Sequence, residues 1–195
     1  MNIKNQTTLL QSMQFANWAH RNQKNKMNDA PYIVNPFHVR WLLATHGLDP
    51  DIDENVPVFI AGDNHNAVED NPEEVTFELI EAQFGAEAAR IVKGVTLDPK
   101  NPDKQLSRDK ILASDWKIKI VKVADVLSNT MSLVLAIEKF GFEEVQKHFK
   151  MAIYDRFTME IRFINAIPHN EHACLGALAK SATLALWQLE TVARE

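Results

Sequence analysis

Along almost the whole chain apolar residues recur at intervals of three and four, while the period-two alternation of a half-buried strand is nearly absent. A helix repeats every 3.6 residues and a strand every two, so this spacing predicts an all-α fold, a helical bundle whose members each turn one apolar stripe inward. At 195 residues the chain is long enough to bury a core without help from disulfides or metal, and it is expected to form one domain over residues 1–195.

The first helix is expected from about Thr7 to Lys24, with Leu9, Leu10, Met13, Ala16 and His20 on one face. A second should begin at Pro36, whose missing N–H has no partner in a first turn anyway, and reach about His46 before Gly47 ends it. A third should start near Pro57 and carry the polar stretch GDNHNAVEDN at its end. Thr76 reads as the N-cap of FELIEAQF, Gly85 separates that helix from AEAARIVKGV, and LDPKNPDKQ reads as a long polar loop. A long helix is expected over 115–139, broken by Phe140 and Gly141, and two more over about 142–166 and 170–193. On the long helix Ile118, Val121, Ala124, Asp125, Leu127 and Ser128 fall close to one face, which sets Asp125 beside the core.

A net charge of −5 and a pI near 5.8 argue against nucleic acid as a partner, which usually requires a basic face that displaces counterions from phosphates. The single cysteine, Cys174, cannot form an internal disulfide, and MNIKNQTTLL shows no apolar run before a cleavage site. The most apolar tract, ACLGALAKSATLALW, falls short of the roughly 18 apolar residues that cross a bilayer. A cytoplasmic protein with no membrane partner is therefore expected.

GDNHNAVEDN supplies His65 with two carboxylates close behind it, Glu69 and Asp70, and Asp125 lies on a distant helix. Helical bundles assemble metal and nucleotide sites from such inward-facing groups, and a metal-activated water with a carboxylate to take its proton suits phosphoester hydrolysis. The plainer alternative is a solvated turn after a helix. For Asp125 the choice lies between a functional carboxylate and one that caps or bridges helices, since a buried charge among apolar neighbours needs compensation either way.

In order, AHRNQKNKMNDAPYIVNP, HNAVEDN, QFGAEAARIVKGVT and KIVKVADVLSN give the chain over residues 7 to 135 a resemblance to the HD-domain hydrolases of the RelA/SpoT type. In size it is similar to the stand-alone small alarmone hydrolases of the Mesh type, which remove the 3′-pyrophosphate of ppGpp with Mn²⁺. The resemblance implies an HD-domain bundle, a nucleotide substrate and a divalent metal. It also implies ligand positions at Asn35, His65, Asn66 and Asp125, water handling by Glu69 and Asp70, placement of nucleotide and water by Asn129, and substrate contacts from Lys26 and Tyr32.

Two of those four ligand positions depart from the family pattern: Asn35 stands for a His and Asn66 for the Asp of the His-Asp pair. A neutral amide oxygen replaces an imidazole nitrogen in one case and a carboxylate in the other, so metal affinity should fall. His38, one turn after Asn35, and Asp63 are the candidate replacements. The resemblance thus implies a metal-dependent nucleotide phosphohydrolase or pyrophosphohydrolase with a divergent metal site. The alternative is a catalytically silent HD-fold protein that binds a nucleotide or a protein partner.

Overall fold

The computed structural model describes residues 2–25, 30–97 and 103–194. Its α-helices are α1 (Ile3–Ala19), α2 (Val34–Thr45), α3 (Val56–Asn64), α4 (Ala67–Asp70), α5 (Phe77–Phe84) and α6 (Ala86–Val95). They are followed by α7 (Lys104–Leu112), α8 (Trp116–Phe140), α9 (Phe142–Gln146), α10 (Ile153–Ala166) and α11 (Ala173–Val192). Among the described residues there is no strand, only an isolated antiparallel bridge between Lys24 and Pro31. The expected all-α bundle is the fold observed among the described residues.

α8 is the axis of the bundle. Asp115 starts it by accepting hydrogen bonds from the amides of Lys117 (3.0 Å) and Ile118 (3.2 Å), and Gly141, at φ +82°, ends it. It packs most extensively on α11 and also meets α2, α3 and α6. The approach of α6 is close because Gly94 has no side chain: a Cβ there would sit 2.5 Å from Ile118 Cδ1. The main core gathers Val39, Leu43, Phe59, Ile91, Ile120, Val121 and Leu178, and a smaller cluster around Val134, Val145, Ile153 and Leu189 fills the end of the bundle where α8, α9, α10 and α11 meet.

By length and composition α8 is the one described helix able to cross a membrane, with a mean hydropathy of 1.6 over its most apolar window. This corrects the expectation that the α11 tract is the most apolar, and the cause is position: 72% of that window is buried inside the protein.

Several boundaries also differ. α1 begins at Ile3, because the Asn2 side chain accepts from the Asn5 amide, and it ends at Ala19 rather than Lys24. The chain then doubles back, with the Asn25 amide donating to Ala30 O (2.8 Å) and the Tyr32 amide to Gln23 O (3.0 Å). Leu10 is 54% exposed, while Asn5 and Ser12 take places in the buried stripe by hydrogen bonding to Asp53 (2.9 Å) and Asp63 (2.7 Å). The end of the stretch read as a loop is helical: Asp103 caps α7 by accepting from the Leu106 amide (3.0 Å), while residues 98–102 lie outside the described residues. The helix expected over 142–166 is two, α9 and α10, with Gln146 Oε1 accepting from the Ile153 amide (2.8 Å) across the break.

Candidate active site

His65 closes α3, and its ring is fixed by a short local bond in which Nδ1 lies 2.8 Å from the Gly62 carbonyl. A carbonyl can only accept, so Nδ1 donates, and Nε2 is the nitrogen turned towards Asp125. That nitrogen lies 3.3 Å from Asp125 Oδ1 and completes no hydrogen bond. His65 and Asp125 are 2% and 4% exposed.

The rest of the Asp125 environment comes from its own helix. Lys122, one turn earlier, donates from Nζ to Oδ2 at 2.7 Å, and Asn129, one turn later, donates from Nδ2 to Oδ1. Burial alone would raise the Asp125 pKa, but the Lys122 ammonium and His65 outweigh it and hold the carboxyl well below the usual range. From α2, Asn35 Nδ2 reaches Ser128 Oγ (3.1 Å) and Asn129 Oδ1 (3.4 Å), while Asn35 Oδ1 is buried with no partner. Asn66 donates to the Tyr32 hydroxyl. Tyr32 is held protonated first by burial and then by the charges of Asp70 and Asp125, so it is placed as a neutral support for Asn66.

Asn66, Glu69, Asp125 and Asn129 line one cleft of about 170 Å³. Glu69 stands at its rim, accepting from the Leu97 amide at 2.8 Å. Partial burial raises its pKa, against the Leu97 bond and the Lys122 charge, which lower it. Asp70 does not share this cleft. Its carboxylate lies 4.0 Å from His20 Nδ1 and borders a neighbouring recess with Arg21, Gln23 and Glu74. Lys26 lies outside the described residues.

The two replacement ligands considered for the site are engaged elsewhere. The Asp63 carboxylate is fully enclosed: Oδ2 accepts from Ser12 Oγ (2.7 Å) and from the Arg40 guanidinium, which ties α1, α2 and α3 together, while Oδ1 is buried without a partner. His38 turns along α8, with Nδ1 2.9 Å from Ser128 Oγ and its ring stacked on Trp41.

Other functional groups in the cleft have no counterpart among the sequence candidates. Lys122 is one. On α7 and α10, Lys104, Arg108, Arg156 and Glu160 form a second wall. Arg108 and Glu160 make a buried two-point pair, Nε to Oε2 at 2.9 Å and Nη2 to Oε1 at 2.6 Å. Lys104 and Arg156 pair with no carboxylate among the described residues. Burial, together with the nearby charges of Arg156 and Arg108, lowers the Lys104 pKa. Cationic side chains lining a cleft suit a phosphate-bearing ligand. The four-residue spacing of Lys104 and Arg108 behind the capping Asp103 was the signal available for this wall. The polarity of the segment hid it.

Residues 12–154 match the family described as HD domain. The guanosine-3′,5′-bis(diphosphate) 3′-pyrophosphohydrolase MESH1 of Danio rerio is 35% identical over 157 residues, covering 78% of this chain and 84% of that protein. The protein of the same description from Homo sapiens is 34% identical over 149 residues, covering 74% and 80%. Among solved structures, one described as a metazoan ortholog of SpoT that hydrolyzes ppGpp superposes with a TM-score of 0.69 at 22% identity, over 89% of this chain and 93% of the other. The structure of lmo0812 from Listeria monocytogenes gives a TM-score of 0.64 at 24% identity, over 80% of this chain and 99% of the other. These two structures speak to the fold.

Proposed function

The chain belongs to the HD-domain family, and from that premise we propose that it is a metal-dependent nucleotide pyrophosphohydrolase whose substrate is a guanosine bis(diphosphate) or a close relative. The observation that carries the reading is His65 Nε2, buried, without a hydrogen bond and turned to Asp125, in a site whose adjoining cleft also holds Glu69, Asn66 and Asn129. The similarity to proteins described as 3′-pyrophosphohydrolases, spread over most of both chains, supports it.

The residues fit a hard divalent ion such as Mn²⁺ only in part, because Lys122 and Asn129 already hold both oxygens of the Asp125 carboxylate. His65 Nε2 and the Asp125 carboxylate would be its strong donors, and the amide oxygens of Asn35 and Asn66 its weak ones. Among the described residues no group of three or more His, Cys, Asp or Glu is gathered for a metal. When bound, such an ion lowers the pKa of a coordinated water and offsets phosphate charge.

The protein's own groups account for the rest. Glu69, held by the Leu97 amide at the cleft rim, takes the proton of the attacking water, and its raised pKa suits a base. Asn129 keeps Asp125 oriented, and Lys122 stabilises the charge on the transferred group. Lys104 and Arg156 hold the outlying phosphates, with Arg108 kept in place between them by Glu160.

A second reading, a nucleotide-binding protein without turnover, is favoured by one observation: Asp125 already has a cation at 2.7 Å in Lys122. The test is purified protein with Mn²⁺ and a panel of guanine nucleotides that includes ppGpp. Pyrophosphate release that disappears in His65→Gln supports the enzyme. Bound nucleotide recovered intact after hours supports the binder.

A further inference from the structure

A hard divalent ion takes charged oxygen before amide oxygen or imidazole nitrogen, so at His65 and Asp125 it would need the Asp125 carboxylate first. That carboxylate is committed at both ends. Lys122 Nζ donates to Oδ2 at 2.7 Å and Asn129 Nδ2 donates to Oδ1, each from one turn away on α8, so the helix itself sets both contacts. The other carboxylates of the region are held too: Asp63 by Arg40, Glu160 by Arg108, and Glu69 by the Leu97 amide. What stays unpaired is His65 Nε2 and Asn35 Oδ1, two atoms that carry no negative charge. The charge balance agrees, because Asp125 and Lys122 already cancel, with side chains 6% and 14% exposed. A divalent ion on the same carboxylate would stand beside an ammonium where little water screens the two.

We propose that Lys122 is the resident cation of this site: its ammonium does for Asp125 what a divalent ion would otherwise do, neutralising the carboxylate and holding it beside His65, in a resting protein that carries no metal there. A cation built into the chain is always present, and its place on the same helix as its partner means that no other element has to move to bring the two together. The inference goes beyond the hydrolase reading and fails separately from it. Turnover that appears when Mn²⁺ and nucleotide are added together leaves the resting site as described, and a metal found in the resting protein leaves the hydrolase standing.

The experiment measures the metal content of the purified full chain by mass spectrometry and its thermal unfolding with EDTA and with Mn²⁺. The parent should carry well under one equivalent of any divalent ion, and neither EDTA nor Mn²⁺ should move its Tm. Lys122→Met, close in length but uncharged, strands the buried carboxylate and should melt about 5–10 °C lower. Adding Asp125→Asn should recover most of that loss. Mn²⁺ should raise the Tm of Lys122→Met but not that of the double variant, because only the single variant leaves a carboxylate without its cation, a response that a mere helix brace would not give. Should Lys122→Met fail to fold, the metal content of the parent and its response to Mn²⁺ decide by themselves. About one equivalent of metal in the parent, a parent Tm raised by Mn²⁺, a Lys122→Met that melts with the parent, or one that Mn²⁺ does not stabilise overturns the proposal.

Discussion

His65 Nε2 stands 3.3 Å from Asp125 Oδ1 while its Nδ1 is committed to the Gly62 carbonyl, so the ring presents one free nitrogen to one carboxylate in a buried site. On the proposed reading, Asn35 and Asn66 are the neighbours that would set how strongly an ion is held there. Restoring charge and imidazole together, in Asn35→His with Asn66→Asp, should raise Mn²⁺ affinity by more than the two single changes combined, because ligands of one ion are not additive. Isothermal titration of the four proteins checks this. A double variant that binds no tighter than the parent refutes the ligand assignment.

Glu69→Gln should preserve the fold and most nucleotide affinity while lowering kcat by about a hundredfold or more, the usual scale of general-base catalysis. The base works only when ionised, so the activity of the parent should fall as pH drops through the Glu69 pKa, which burial places above its ordinary value of 4.5. That acid limb should vanish in the variant. Steady-state kinetics across pH provides the measurement, and an unchanged kcat would exclude Glu69 as the base.

The Arg108–Glu160 pair is buried and bonded at both ends of the fork. Removing one partner strands the other charge, so Glu160→Ala should cost about 3–5 kcal/mol in urea unfolding. Replacing both, Arg108→Met with Glu160→Leu, should recover most of that loss, since the pair gains little over well-packed apolar groups. Nucleotide affinity should stay low in the double variant if Arg108 serves the cleft wall.

Cys174 is 2% exposed, with Sγ 3.7 Å from the Leu43 carbonyl, and burial pushes its thiol up to about 11. The native protein should therefore react only slowly with a disulfide reagent at pH 8 and at the full rate once unfolded in guanidinium. Fast native labelling would show that α11 opens readily.

The helical pattern was legible because one physical cause, the burial of a stripe, writes itself at fixed spacing. Ile118, Val121, Ala124 and Asp125 are buried as their positions on one face predict. Thr76, Gly85 and Gly141 mark helix ends because capping chemistry is local. The pairing of His65 with Asp125 came from the motif resemblance, since nothing in spacing links positions sixty residues apart. What the residues concealed depends on tertiary contact. The commitment of Asp63 to Arg40, the turn of His38 onto Ser128 and the separation of Asp70 from the cleft are decided by neighbours from other helices. α7 went unread because its inward residues include a charged one, Arg108, which is buried only by virtue of Glu160.

Arg156 and Glu160 sit on α10, past residue 154, where the family match stops, yet they share the cleft with Glu69 and Asp125. The carboxylates of the cleft and its cationic wall are thus carried on different helices, α4 and α8 for Glu69 and Asp125, α7 and α10 for Lys104, Arg108 and Arg156. Substitutions on α7 or α10 can therefore change the charge and shape met by an anion entering the cleft while leaving Glu69 and Asp125 on their own helices undisturbed.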